Sequence, residues 1–167
     1  NENPFENGVN RYPDPQQKTV KSALSGLKKV EQNQILLGNG SDEVLDLLFR
    51  AFCEPNRDNI ITLPPTYGMY EVYANINNLS IISIPLTEDF QLNSKAILAQ
   101  NAKILYLCSP NNPTGNSLEN LEYIIENFNG IVFLDEAYID FSEQLSLVSK
   151  INNFPNLIVS QTFSKAR

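Results

Sequence analysis

Five short stretches of this 167-residue chain set polar or reactive side chains directly after apolar runs: "GNGSDE" at 38–43, "PPTYGMY" at 64–70, "SPNNPTG" at 109–115, "DEAY" at 135–138 and "TFSK" at 162–165. Lys165 follows two hydroxyl residues, Thr162 and Ser164. At the end of a buried strand its ammonium is expected to lose protons more readily through desolvation or cationic neighbours, and the free amine is then a nucleophile for a carbonyl. The plain alternative is a solvated surface lysine. Asp135 comes straight after Ile131–Leu134. A carboxylate at a buried strand end is costly unless it meets a cation or hydrogen-bond donors, so it is either half of a structural ion pair or the counter-charge of a ligand. Tyr138, three residues on, brings a phenol to the same region.

Gly40 allows close backbone approach, and the N–H groups of Ser41 and Asp42 are free at an expected helix start, with Ser41 as the cap. That arrangement suits an anion such as phosphate, although glycine before a capping serine is also a common loop. It matches neither a Walker A sequence nor GxGxxG. Asn112 lies between Asn111 and Pro113, which fixes its direction; the loop is either a structural turn or a donor to a ligand oxygen.

The elements that must carry these groups are legible as short apolar runs at 35–37, 59–63, 80–84, 103–108, 130–136 and 156–161. Several are continuous rather than alternating, as in strands covered on both faces. Helical patterns lie between them. "SDEVLDLLFRAFCE" puts Val44, Leu47, Leu48 and Ala51 on one face, with Asp42 and Glu43 in its first turn. "TYGMYEVYANI" and "SLENLEYIIENF" are two more, the second opened by Ser117, and residues 15–29 form a more polar fourth. Strand alternating with helix predicts a three-layer α/β/α domain with a mostly parallel sheet. In such sheets ligands gather beyond the carboxyl ends of the strands, where all five stretches fall.

Composition narrows the chemistry. The chain has no histidine, which removes Ser-His-Asp, Cys-His and His-ligand metal sites, and no metal centre is expected. Its net charge of −7 argues against a nucleic-acid surface. No apolar run approaches the roughly 20 residues of a membrane span. Cys53 and Cys108 each sit among apolar neighbours and are expected to be buried free thiols of a reducing compartment, which points to the cytoplasm.

One cofactor uses all of these groups together. Pyridoxal 5'-phosphate takes a lysine for its aldehyde, an anion cradle for its phosphate, a carboxylate for its ring nitrogen, donors for its phenolic oxygen and an aromatic face over its ring. The segments "NENPFENG", "RYPDP", "GNGSDEVLDLLFRAFCEP", "PPTYGMY", "CSPNNPTG", "LDEAYIDF" and "TFSK" resemble, in order, those of the fold-type I pyridoxal-phosphate aminotransferases. "LFRAFCEP" followed by "PPTYGMY" is similar to the histidinol-phosphate branch in particular.

The resemblance implies roles. Lys165 would bind the cofactor and move the proton; Asp135 would pair with the ring nitrogen. Tyr138 and Asn112 would bond the phenolic oxygen, and Tyr67 would stack on the ring. Ser41, Asp42, Thr162 and Ser164 would hold the phosphate, joined by Tyr12 from a second subunit of a homodimer. Asn3 would face the substrate. The implied reaction is amino transfer between L-histidinol phosphate and 2-oxoglutarate, giving glutamate, in histidine biosynthesis.

The resemblance also implies an N-terminal arm over residues 1–14 and a cofactor-binding large domain over 15–167. In the family a phosphate-binding arginine and a small C-terminal domain follow the lysine, and Arg167 is too near Lys165 to be that arginine. The chain opens on Asn and stops two residues after Lys165, so a fragment without full activity is expected. Two other readings stand beside this one. The first is another fold-type I enzyme, such as an aromatic aminotransferase or a phosphothreonine decarboxylase-like protein. The second is a non-catalytic α/β module.

Overall fold

The computed structural model describes residues 12–165, and the chain divides into two compact units, residues 1–37 and 38–167. In the first, helix α1 spans Lys18–Lys28 and a 3-10 turn spans Gln32–Gln34. The Asp14 carboxylate accepts the backbone N–H groups of Gln16 and Lys18 at 3.0 and 3.1 Å, which secures the turn leading into α1. The strand expected at 35–37 does not form. Three residues with Leu36 exposed find no pairing edge, and the segment stays extended and unpaired.

The second unit contains α2 (Ser41–Phe52), β1 (Asn59–Thr62), α3 (Met69–Ile76), β2 (Ser80–Ser83), α4 (Ser94–Leu98), β3 (Ile104–Cys108), α5 (Leu121–Asn127), β4 (Ile131–Asp135) and β5 (Leu157–Ser160). The sheet order is β2-β1-β3-β4-β5, and every pairing is parallel. All five residues of β3 are buried, as are four of the five in β4, which is why these strands read as unbroken apolar runs.

Alternation along the strands divides the core in two. Ile60, Ile104, Tyr106, Cys108 and Phe133 face α2 and α3, packing with Leu45, Leu48, Phe49, Tyr70 and Ala74. Ile61, Leu105, Leu107, Val132 and Leu134 face the other way, against Ile97 of α4 and Leu121, Ile124 and Ile125 of α5. Helices on both faces of a parallel sheet complete the three-layer α/β/α arrangement. Asp135 follows Leu134, so the same alternation turns its side chain toward α2 and α3.

Two helix expectations shift in detail. In α2 the buried stripe is Leu45, Leu48 and Phe49, while Leu47 and Ala51 are exposed. Both stripes satisfy helical spacing. The Phe49 ring, 5.5 Å from that of Tyr106, marks the side that meets the sheet. Helix α5 starts at Leu121 rather than near Ser117, because Asn120 takes a left-handed conformation (φ 57°) at its start. The Ser117 hydroxyl instead meets Ser142 Oγ at 3.1 Å. Among the described residues, no helix is long and apolar enough to cross a membrane, and Cys53 and Cys108 are free and buried.

Phe133 lies fully buried at mid-sheet, its ring 5.2 Å from Tyr106. Phe133→Ala is expected to lower the unfolding free energy by about 3–5 kcal/mol in a urea titration, through lost transfer energy plus the cavity left behind.

Candidate active site

The register at the carboxyl end of the sheet sets Cys108, Asp135 and Ser160 side by side on β3, β4 and β5. Above this row opens a cleft of about 240 Å³, with Tyr67 from the loop after β1 and Asn112 from the loop after β3. The chain turns back between these two strands: β1 leads outward to β2, and β3 returns on the other side of β1. This is the switch point where open α/β sheets bind ligands.

Asp135 is 3% exposed and hydrogen-bonded on both oxygens. Oδ1 accepts from the Ala137 backbone N–H at 3.0 Å and the Ser160 hydroxyl at 3.1 Å; Oδ2 accepts from the Tyr70 hydroxyl at 2.8 Å. The ion pairs among the described residues do not include it, so the structural ion pair considered from the sequence is not how this carboxylate is accommodated. Burial pushes its carboxyl above the ordinary value, and the three donors only partly offset that cost.

Tyr70 is fully buried, stacked on Tyr106 at 4.8 Å and edge-on to Tyr67 at 5.5 Å. Burial raises its phenol well above the usual range, so it remains a donor. The Tyr67 phenol is pushed up to about 12, first by desolvation and then by its 3.1 Å hydrogen bond to Asp42 Oδ1. Burial and the neighbouring Asp135 charge push the Cys108 thiol up to about 11, which keeps it protonated and a poor nucleophile.

The opposite wall is the start of α2. Gly40, with φ 84°, occupies the cap position, and Ser41 is the first helical residue rather than the cap. The Ser41 and Asp42 N–H groups therefore have no intrahelical acceptor. Glu43 reaches back to accept from the Asn39 side chain at 3.1 Å and also from its backbone N–H. A Cβ at Gly38 would stand 2.8 Å from Val44 Cγ2, so a side chain there requires Val44 to shift. Thr162 and Ser164 face this helix start across the cleft, their hydroxyls 3.0 Å apart.

Lys165 lines the cleft with its Nζ 5.3 Å from the centre of the Tyr138 ring. It is exposed, at the end of a segment whose first residues, Gln161 and Thr162, are half-buried. In the "NNPTG" loop, Asn111 is the structural residue. Its amide donates to Pro65 O and Thr114 Oγ1 and accepts from Thr66, which leaves the half-buried Asn112 at the cleft.

Nine residues singled out from the sequence thus border one cleft: Ser41, Asp42, Tyr67, Asn112, Asp135, Tyr138, Thr162, Ser164 and Lys165. Tyr12 is exposed in the first unit, and Asn3 lies outside the described residues. Sequence reasoning missed Tyr70 and Ser160. The one available signal was the aromatic spacing in "TYGMYEVY", which does not say which tyrosine turns inward.

A family model for class I and II aminotransferases matches residues 5–167. The histidinol-phosphate aminotransferase of Flavobacterium johnsoniae is 62% identical over 99% of this chain, which covers 49% of that protein; the chain spans about half the length of the curated relatives it matches. A histidinol-phosphate aminotransferase structure from Sinorhizobium meliloti superposes with a TM-score of 0.85 at 24% identity, over 96% of this chain and 46% of that one. The L-threonine-O-3-phosphate decarboxylase of Porphyromonas gingivalis gives 0.82 at 25% identity, over 96% and 51%.

The raised Asp135 carboxyl has a consequence for stability. Its folded-state value lies above the unfolded 3.8, so its contribution is complete below pH 3.8 and is lost as pH rises through the folded-state value. In ligand-free protein Asp135→Asn, which stays neutral, is expected to melt above wild type at pH 7. Thermal scans should show that gap narrowing as the pH falls toward 4; a gap independent of pH would contradict this account.

Proposed function

The chain belongs to the class I and II aminotransferase family, and from that premise we propose that the protein carrying it transfers the amino group of L-histidinol phosphate to 2-oxoglutarate with pyridoxal 5'-phosphate. The observation that carries the reading is the meeting, in one cleft, of an amine (Lys165), a buried carboxylate without a cationic partner among the described residues (Asp135), and an anion cradle at the start of α2. Identity of 62% to a histidinol-phosphate aminotransferase supports the substrate.

The residues fit the cofactor. An uncompensated buried carboxylate calls for a protonated nitrogen, and free helix N–H groups beside two hydroxyls call for phosphate. In this reading Lys165 carries the cofactor, Asp135 receives its ring nitrogen and Tyr67 covers its ring. Asn112 and Tyr138 donate to its phenolic oxygen, and Ser41, Asp42, Thr162 and Ser164 hold its phosphate. When bound, pyridoxal phosphate supplies a carbonyl for the substrate amine and a ring that takes up the electron pair left as the Cα proton departs.

The chain's own contribution is placement and proton handling. Lys165 Nζ, on the segment after β5, takes the Cα proton and returns it one position away. Burial raises the Asp135 carboxyl, and three hydrogen bonds work against that to favour the charged form that would face the ring nitrogen. Tyr67 keeps its proton, and its bond to Asp42 ties the stacking ring to the phosphate-binding helix.

By the resemblance, residues 1–14 would be an arm, with Asn3 assigned to the substrate and Tyr12 to the cofactor phosphate of a second subunit in a homodimer, and residues 15–167 the cofactor-binding domain; Asn3 lies outside the described residues. Two buried free cysteines suit the cytoplasm.

In the full-length protein, borohydride reduction after addition of pyridoxal phosphate is expected to leave a pyridoxyl label on Lys165. Lys165→Ala should lose that label and lower kcat by on the order of 10²–10⁴. Wild type without a label would overturn the cofactor assignment. Release of carbon dioxide from phosphothreonine, with no glutamate formed from histidinol phosphate, would replace the transferase reading with the decarboxylase one.

A further inference from the structure

The hydrogen bonds of Asp135 can be counted against its capacity. A carboxylate offers about four acceptor positions, two on each oxygen. On Oδ1 both are taken, by the Ala137 N–H and the Ser160 hydroxyl; on Oδ2 one is taken, by the Tyr70 hydroxyl. A single position therefore remains, on the oxygen that Tyr70 already contacts. With the site read as a pyridoxal-phosphate site, on which this inference rests, we propose that Tyr70 is a positioning residue for the cofactor's ring nitrogen. It acts through Asp135, by occupying half of Oδ2 and directing the ring N–H to the half that remains.

The surroundings of Tyr70 suit that task. It is fully buried in the first turn of α3, its ring is held between Tyr106 and Tyr67, and its hydroxyl has an acceptor 2.8 Å away. Such a phenol cannot swing aside. Because Tyr67 rests edge-on against the same ring, one side chain joins the group that holds the cofactor's nitrogen to the group proposed to cover its face. The titratable groups around Asp135 are Tyr70 on α3, Tyr67 on the loop after β1, Cys108 on β3 and Asp42 on α2, none of them basic; Tyr138 and Lys165 line the same cleft, and Lys165 forms no ion pair with Asp135. None of the ion pairs among the described residues includes Asp135, so donated hydrogen bonds are what favour its charged form against burial, and the bond from Tyr70 is the shortest of the three.

Tyr106 supplies the control. It stacks in the same cluster, but its hydroxyl is the one buried side-chain polar atom without a hydrogen-bond partner among the described residues. Tyr106→Phe therefore removes an oxygen from the cluster without touching Asp135.

The test uses the full-length protein with carboxyl-13C aspartate, the Asp135 resonance being assigned by its loss in Asp135→Asn. In cofactor-free protein, Tyr70→Phe is expected to shift the Asp135 titration upward by about 1–2 pH units, the equivalent of one hydrogen bond to a charged group. Tyr106→Phe should leave it in place. With pyridoxal phosphate added, Tyr70→Phe should weaken cofactor binding about tenfold and lower kcat, with KM for histidinol phosphate nearly unchanged. An Asp135 titration that coincides with wild type overturns the proposal, as does a shifted titration with unchanged cofactor affinity and kcat. Equal effects in the Tyr70 and Tyr106 variants would make Tyr70 a packing residue only and overturn it too. Wild type that binds no pyridoxal phosphate overturns the reading of the site itself.

Discussion

A carboxylate buried at the end of a central strand must find hydrogen-bond donors or a cation, and much of this molecule follows from how Asp135 does so. The parallel register brings Ser160 alongside it, the turn after β4 delivers the Ala137 N–H, and α3 crosses the sheet so that Tyr70 reaches Oδ2. Each donor comes from a different element. The geometry of one carboxylate therefore depends on the pairing of β4 with β5, the path after β4 and the docking of α3. The residual electrostatic cost, visible in its raised carboxyl, makes the position receptive to a protonated ligand.

The adjacent residue meets three donors as well, but away from the cleft that Asp135 lines. Glu136, 2% exposed, faces away from Asp135 and accepts from Ser146 Oγ, the Leu147 N–H and Gln161 Nε2. Gln161 also donates to Ser146, so this network ties the segment after β4 to the exit of β5. Strand alternation thus gives "DE" two separate functions. One carboxylate opens on the cleft, and the other anchors the backbone from which Thr162, Ser164 and Lys165 project.

The comparison of sequence with structure divides along similar lines. The central strands β1, β3 and β4 were visible as unbroken apolar runs because a parallel strand covered on both faces needs no polar alternation, while the edge strands β2 and β5 were legible from shorter apolar runs. The run at 35–37 had the same composition but no partner, and composition cannot report a partner. For α2 two stripes one residue apart fit the helical period equally well, and contact with Tyr106 selected Leu45, Leu48 and Phe49. Ser117 has the side chain of a helix cap, yet a left-handed Asn120 starts the helix and Ser117 bonds Ser142, a residue 25 positions away.

At the site, the reactive groups could be read from type and spacing, since a lysine after hydroxyls, a carboxylate after an apolar strand and a glycine before a helix each carry a local signature. The sequence by itself determined these groups and, for the four stretches that follow strands, the rim on which they gather, because parallel strands all deliver their following loops to one end; the start of α2 follows no strand and reaches the cleft through the packing of α2 on the sheet. Only the tertiary structure decided which donors would meet Asp135, that Asn111 would be absorbed into its loop while Asn112 stayed at the cleft, and that Lys165 would stand exposed over Tyr138. Those outcomes depend on contacts between residues 45 or 65 positions apart, such as Thr66 with Asn111 and Tyr70 with Asp135. A local pattern carries no record of such contacts; they are set when helices close over the sheet and bury the groups that must then be paired.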